Sequence, residues 1–390
     1  MTSSGPVEVD GPGAGTRPGA GFVEPAYGSR SLADVLPAVA AALGTPLPGA
    51  STSLVLPDAG SYVVFLVDGL GAELIRRYAH AAPFLASLLA QQEPATAGVP
   101  STTVTSLTSL GTALLPGTHG MVGYTARIPG TERLLNGLNW SGDVDPLQWQ
   151  PHTTAFARLG EQGVLTTVVN KHEFMNSPLT RMSNRGAEYV GAERTSERIA
   201  AVVGASWRSP SLTYVYDSAL DSTGHRHGVA STQWLQQLSA VDQEAEQMRD
   251  HLPPGTRLLV VADHGMVDSP QESRIDVDER RELRDGVRLL GGEARFRHVY
   301  CHDGAVADVA ATWREVLGER AEVLTREEAV LRGWFGVLDD AVAPRVGDVV
   351  VACTGENAVM SSVDFTVETK LVGMHGSLTP AEMLIPLLVI

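Results

Sequence analysis

Two apolar runs in this chain, SYVVFLVDG (61–69) and RLLVVADHG (257–265), each stop at an aspartate followed closely by a glycine. Neither alternates polar with apolar residues, so both read as strands buried on both faces rather than strands with one wet side. Extended patterns recur at VLTTVVN (164–170) and SLTYVYD (211–217). Helical spacing separates them: SLADVLPAVAAALG (31–44), LGAELIRRYAHAAPFLASLLAQQ (70–92), TTAFARLGEQG (153–163), TSERIAAVVGA (195–205) and a long amphipathic stretch over 232–252. Continuous Val/Leu strands alternating with helices specify an α/β fold, with a mostly parallel central sheet covered by helices on both faces.

Residues 1–28 are rich in Gly, Pro and Ser and read as a flexible tail, leaving 29–390 as a single domain. The texture changes at about 280–350 (RFRHVYCH, DVAATWREVLGER, TREEAVLRGWFG), which reads as a small α+β insertion. The chain then returns through GMHGSLTPAEMLIPLLVI, where Thr379, Pro380 and Glu382 form a helix-start signal before a last apolar strand or sheet edge.

Composition excludes several classes of function. A formal net charge of −16 with no dense basic cluster argues against long nucleic acid as a partner. A small phosphorylated substrate remains compatible if cations supply local positive charge. The only cysteines, Cys301 and Cys353, are too few for a disulfide framework or a thiolate zinc site and read as buried free thiols. The N-terminus lacks a basic segment followed by an apolar one, and no run of about 18 apolar residues occurs, so the expectation is a cytoplasmic protein with no membrane partner.

In an open parallel sheet, ligands collect at the carboxyl ends of the strands. Asp68 ends one strand, Asp263 and His264 end another, and Asp221 and His225 fall in the loop after the strand that finishes near Asp217. His375, between glycine-rich neighbours near the end of the chain, can close the set. Taken singly, each aspartate reads as a turn residue and DHG as an ordinary loop; four segments in an order that suits one sheet edge read as a site. Carboxylate and imidazole suit zinc, with manganese or iron as alternatives. Six such ligands exceed one tetrahedral ion and suit two, about 4 Å apart.

A run of hydroxyls, VPSTTVTSLTSLGT (99–112), opens a helix-like stretch. Such clusters commonly only cap helices, but a hydroxyl at a helix N-terminus facing metals is a candidate nucleophile. The pattern by itself does not choose among positions 101, 102, 103, 105 and 106.

These motifs together resemble the alkaline phosphatase superfamily and, within it, the nucleotide pyrophosphatase/phosphodiesterase (type I phosphodiesterase) family, over roughly residues 60–275 and again at 373–376. VVFLVDG resembles the family's strand ending in Asp-Gly, PSTT followed by PGTHG its nucleophile segment, DSTGH its Asp-x-x-Gly-His, ADHGM its Asp-His-Gly, and GMHG its late Gly-x-His-Gly. The resemblance implies an alkaline-phosphatase-like catalytic domain with Thr103 as nucleophile. It further implies one metal ion on Asp68, Asp263 and His264 in contact with Thr103, and a second on Asp221, His225 and His375. The implied activity is hydrolysis of a phosphodiester or nucleotide pyrophosphate through a phosphothreonine. A phosphomonoesterase or phosphonate hydrolase using the same centre is the alternative, and a non-catalytic binding protein on this fold a third reading.

One departure stands out. Five residues after His119, where many family phosphodiesterases carry an Asn on a phosphoryl oxygen, this chain has Tyr124. Its hydroxyl suits the same bond, and an aromatic packing role is the plain alternative. Lys171, His172, His227 and the cluster Arg295, Arg297 and His298 read mostly as solvated positions, and Trp140, Trp149 and Trp334 as packing aromatics or stacking platforms for a substrate ring.

Overall fold

All seven residues of strand β1 (Ser61–Val67) are buried, which alternating side chains permit only if both faces of the sheet are covered. The computed structural model describes residues 21–140 and 142–390. In it β1 lies inside a six-stranded sheet built with β2 (Leu165–Asn170), β3 (Glu188–Gly191), β4 (Ser211–Asp217), β5 (Thr256–Val261) and a late strand, Leu387–Val389. The first five run parallel in the order β5-β1-β4-β2-β3, while Leu387–Val389 pairs antiparallel along the outer side of β5. The sheet is therefore mixed but mostly parallel, as the Val/Leu runs require.

Two helix groups cover it. One contains Val35–Ala42, Thr103–Thr112 and Ala155–Glu161; the other contains Pro83–Leu89, Thr195–Ser206 and Thr232–His251. The single helical pattern over 70–92 is realised as two helices, Ala72–Arg77 and Pro83–Leu89. Pro83 cannot continue a preceding helix but suits the first position of a new one, and Asp242 accepts from the Phe84 and Leu85 N–H groups at that start.

The stretch expected to differ from about 280 forms a four-stranded antiparallel sheet. Its strands are Val287–Glu293, Phe296–Cys301, Val349–Cys353 and Ala321–Thr325, in that spatial order. One face carries Leu290, Val299, Val323 and Val351 against the helix Val306–Leu317 with its buried Trp313. The other face, through Phe296, Val350 and Ala352, joins the main core beside Trp334 and Phe335. The sheet continues past position 350, to Cys353.

Two expectations need correction. Of the stretch read as a flexible tail, residues 1–20 lie outside the described residues, but 21–28 are docked. The Val23 N–H donates to Leu378 O (2.8 Å), the Tyr27 hydroxyl to Trp334 O (2.9 Å), and Phe22 packs on the core. Apolar Phe22, Val23 and Tyr27 supply burial that the Gly/Pro-rich texture obscured. Arg295, Arg297 and His298 are buried rather than solvated: Arg295 pairs with Glu382 (2.7 Å), Arg297 with Glu368, and His298 lies 2.7 Å from Val122 O. Both cysteines are buried free thiols.

Candidate metal centre and nucleophile

Parallel strands deliver their carboxyl ends to one edge, and here that edge gathers all the acids and imidazoles read from the sequence. β1 and β4 are in register through Val67 and Asp217, so Asp68 stands immediately past the edge, its N–H donating to Asp217 O at 2.9 Å. Asp263 and His264 follow β5, two and three residues beyond its end. Gly69 adopts φ +75, and a Cβ there would lie 3.1 Å from Asp221 Cα, so glycine is what lets the strand end turn against the next segment.

Asp221 and His225 do not sit in a loop: they belong to the helix Ala219–His227, whose four-residue spacing puts both on one face. Their Oδ2 and Nε2 atoms are 3.3 Å apart. His375 follows the short strand Gly373–Met374, which pairs with Val267–Asp268, and its Nε2 lies 3.8 Å from Asp221 Oδ1. His264 Nε2 is 3.5 Å from Asp68 Oδ1 and 3.4 Å from Asp263 Oδ2. The tightest ligand groups are Asp68, Asp263 and His264 on one side and Asp221, His264 and His375 on the other, so the His264 ring stands between the two halves.

The donor chemistry fits divalent cations. Each carboxylate keeps one buried oxygen without a hydrogen-bond partner: Asp68 Oδ1, Asp221 Oδ1 and Asp263 Oδ2. The opposite oxygens of two of them are tied back: Tyr216 donates its hydroxyl to Asp68 Oδ2, and the Gly69 and His264 N–H groups donate to Asp263 Oδ1 at 3.1 and 3.0 Å. Such orphaned oxygens are costly unless a cation occupies the space they face. Burial, then the charges of Asp263 and Asp221, push the Asp68 carboxyl well above its usual range, and burial does most of the same to Asp263.

The imidazoles are arranged alike. Nδ1 of His225, His264 and His375 lies 2.8, 2.9 and 3.0 Å from the carbonyls of Gly373, Gly265 and Ser101. A carbonyl only accepts, so each Nδ1 carries the proton and each Nε2 presents a lone pair to the centre. Burial and the neighbouring His264 and His225 hold His375 well below the ordinary imidazole range, hence neutral.

The five hydroxyls have different surroundings. Ser101 donates to Ser377 O (2.6 Å) and Ser106 to Asp263 O (2.8 Å), while Thr105 is fully buried. Thr102 stands at the N-cap position without a side-chain cap bond and lines the same cavity as Thr103. Thr103, the first residue of the helix Thr103–Thr112, lines a cavity and has its Oγ1 3.3 Å from His264 Nε2. That position also offers the first-turn N–H groups of a ten-residue helix, which have no partner within the helix.

The cavity holds about 620 Å³ and opens over the metal-ligand cluster. Tyr124, half-buried, is in its wall, as is Glu293. Two wall residues escaped the sequence reading. Tyr216 carries only the alternating pattern of a strand, and nothing in SLTYVYD marks its hydroxyl as the partner of Asp68. Glu293 lies in the inserted sheet, far in sequence from every motif, and burial raises its carboxyl to about 8. Lys171, His172, Trp140, Trp149 and Trp334 are not among the cavity-lining residues; His172 pairs with Glu193, and Trp149 stacks beneath Arg345.

A mostly parallel sheet with this elaborated edge is the alkaline-phosphatase-like architecture, a class of hydrolases. The chain belongs to the type I phosphodiesterase/nucleotide pyrophosphatase family, whose model matches residues 62–378. It is accordingly a hydrolase of phosphoric ester or phosphoanhydride bonds. Among solved structures it is similar to murine ectonucleotide pyrophosphatase/phosphodiesterase 5, at 17% identity and a TM-score of 0.65 over 84% of this chain and 87% of that one. An inactive variant of the murine protein in complex with AMP matches at 16% identity and a TM-score of 0.64, over 85% and 87% of the two chains. The human counterpart matches at 16% identity and a TM-score of 0.64, over 84% and 87%. No curated protein matches the chain by sequence. Among the described residues no helix is long and apolar enough to cross a membrane.

Proposed function

We propose that this chain is a metal-dependent phosphodiesterase that uses Thr103 as a covalent nucleophile. The observation that carries the reading is the set of three orphan carboxylate oxygens and three tethered imidazoles beside a cavity-lining hydroxyl, Thr103 Oγ1, that lies 3.3 Å from His264 Nε2. Asp68, Asp263 and His264 would hold one divalent ion, and Asp221, His225 and His375 a second, with zinc the best match to this mix of oxygen and nitrogen donors. Bound there, the ions supply Lewis acidity that favours ionised Thr103 and offsets charge on the phosphoryl oxygens.

Thr103 Oγ1 forms a bond to phosphorus as the bond to the first alcohol breaks; the threonine proton is released and the departing alkoxide takes one up. Water then displaces Thr103 from the phosphothreonine, and the hydroxyl regains its proton. The first-turn N–H groups of Thr103–Thr112 orient a non-bridging oxygen, and Tyr124, a residue of the cavity wall, contacts the substrate. Among the described residues that line the cavity there is no Lys or Arg. A monoester dianion needs such cations for its extra charge, so the diester is the better match. The murine relative's complex with AMP supports a nucleotide as one form of small phosphorylated substrate.

The test is metal content by elemental analysis together with kcat/KM on bis(p-nitrophenyl) phosphate and p-nitrophenyl phosphate. Two equivalents of metal, preference for the diester, and loss of at least about 10³-fold in Thr103→Ala with metal retained are expected. A metal-free active protein, or an unimpaired Thr103→Ala, overturns the assignment.

A further inference from the structure

The cavity wall has a composition that bears on the second ester substituent. Beyond the metal-ligand cluster it is built from Leu107, Phe174, Leu179, Phe365, Leu371 and Met374, and its exposed surface is mainly apolar. These side chains come from separate stretches of chain: Phe174 and Leu179 from the segment after β2, Phe365 and Leu371 from the segment that follows the inserted sheet.

Apart from the candidate metal ligands, the charged side chains among its described lining residues are all acidic. Glu293, Asp364 and Glu368 face the cavity. The arginines behind the wall are committed: Arg297 to Glu368, and Arg284 to Asp364 at 2.7 Å. Among the described residues that line the cavity there is no Lys or Arg to receive a second phosphate group of a substrate, and a polyanionic chain placed here meets the acidic side chains of Asp364 and Glu368.

The apolar character continues outward. Leu138 and Val367 line the cavity yet are 55% and 70% exposed. Met175, next to the lining residue Phe174, and Val363, next to Asp364, are exposed as well. Large aliphatic side chains left in water around the mouth of an apolar cavity are the mark of a binding surface rather than of a bare wall.

From this continuity of apolar wall and apolar rim, we infer that the preferred substrate is a phosphodiester whose second substituent is a large, uncharged, apolar group. Such a group fills the cavity and extends over Leu138 and Val367. An alkyl chain and an aromatic system share that chemistry. Substituents that carry further phosphates are rejected by the same wall. The inference rests on the phosphodiesterase reading above and narrows it.

The test is a series of p-nitrophenyl phosphodiesters with one leaving group and different second substituents: methyl, butyl, octyl, phenyl, naphthyl and 5′-thymidyl, with ATP as the polyphosphate. The kcat/KM is expected to rise by at least about tenfold from methyl to octyl or naphthyl, a modest fraction of what burial of several methylene groups supplies. ATP is expected below the methyl ester. The octyl and naphthyl arms report whether chain or ring is the better fit. Leu138→Lys and Val367→Lys, both at exposed positions with little bearing on folding, should shrink the octyl-to-methyl ratio several-fold and raise the relative rate on ATP. Equal rates across the diesters with uncharged second substituents, or ATP as the best substrate, overturn this inference while leaving a phosphodiesterase. Hydrolysis of p-nitrophenyl phosphate with none of the diesters cleaved overturns the underlying reading instead.

Discussion

The rings of His264 and His375 lie face to face, their centroids 3.6 Å apart and their planes 17° from parallel. One follows β5 and the other comes from near the end of the chain, so the stack joins the two ligand groups into one structure. His375 also meets His225, at 5.1 Å between centroids. Replacement of His375 by Ala should therefore remove one metal equivalent and leave the other, with kcat/KM on a diester falling by about 10² or more. Elemental analysis of the purified variant checks the stoichiometry, and retention of both equivalents would count against the assigned ligand.

Tyr216 holds Asp68 Oδ2 and thereby turns Oδ1 toward His264. Partners that orient a ligand typically contribute roughly 10–100-fold in metal affinity. Tyr216→Phe removes the hydroxyl and keeps the ring, so competition with a chromogenic chelator should show a loss of that size, with far-UV circular dichroism unaltered.

Much of this was legible in the sequence because it follows from short-range pattern. The Val/Leu runs of β1 and β5 fixed a buried parallel sheet, and an aspartate at the end of such a strand falls at the binding edge. The helix bearing Asp221 and His225 was not legible, since ALDSTGHRH has little apolar periodicity and contains a glycine; the packing of Gly224 against Met266 and Trp234 explains why glycine is there. Glu293 and Tyr216 reach the site only through tertiary folding, and no local signal marks either. The docking of residues 22–27 was hidden for the opposite reason, by the Gly/Pro-rich texture around them.

Glu293 should make the metal-free protein sensitive to pH. Burial raises its carboxyl from 4.5 to about 8; Glu368 adds to the rise, while Thr102, the Tyr124 N–H and Arg297 oppose it. The folded form therefore binds this proton more tightly than the unfolded chain, and stability is lost as pH climbs from about 4.5 through about 8. In chelator, Glu293→Gln should have a Tm close to wild type at pH 5 and several degrees above it at pH 8. A difference that is the same at both values would refute this.

Away from the site, Arg198 bridges two buried acids, Asp217 at 2.7 Å and Glu244 at 2.5 Å. Asp217 ends β4, whose register with β1 positions Asp68. Arg198→Met leaves both carboxylates without a charge partner and should cost about 3–5 kcal/mol of unfolding free energy. Urea titration measures it, and a change below about 1 kcal/mol would show that the acids find other partners.

If Thr103 enters the reaction as a covalent nucleophile, phosphorus undergoes two displacements. Hydrolysis of a phosphorothioate diester of one configuration at phosphorus, in isotopically labelled water, reads this directly. Two in-line steps give net retention, which is the result expected here; net inversion would mean a single attack by water and would contradict the role assigned to Thr103.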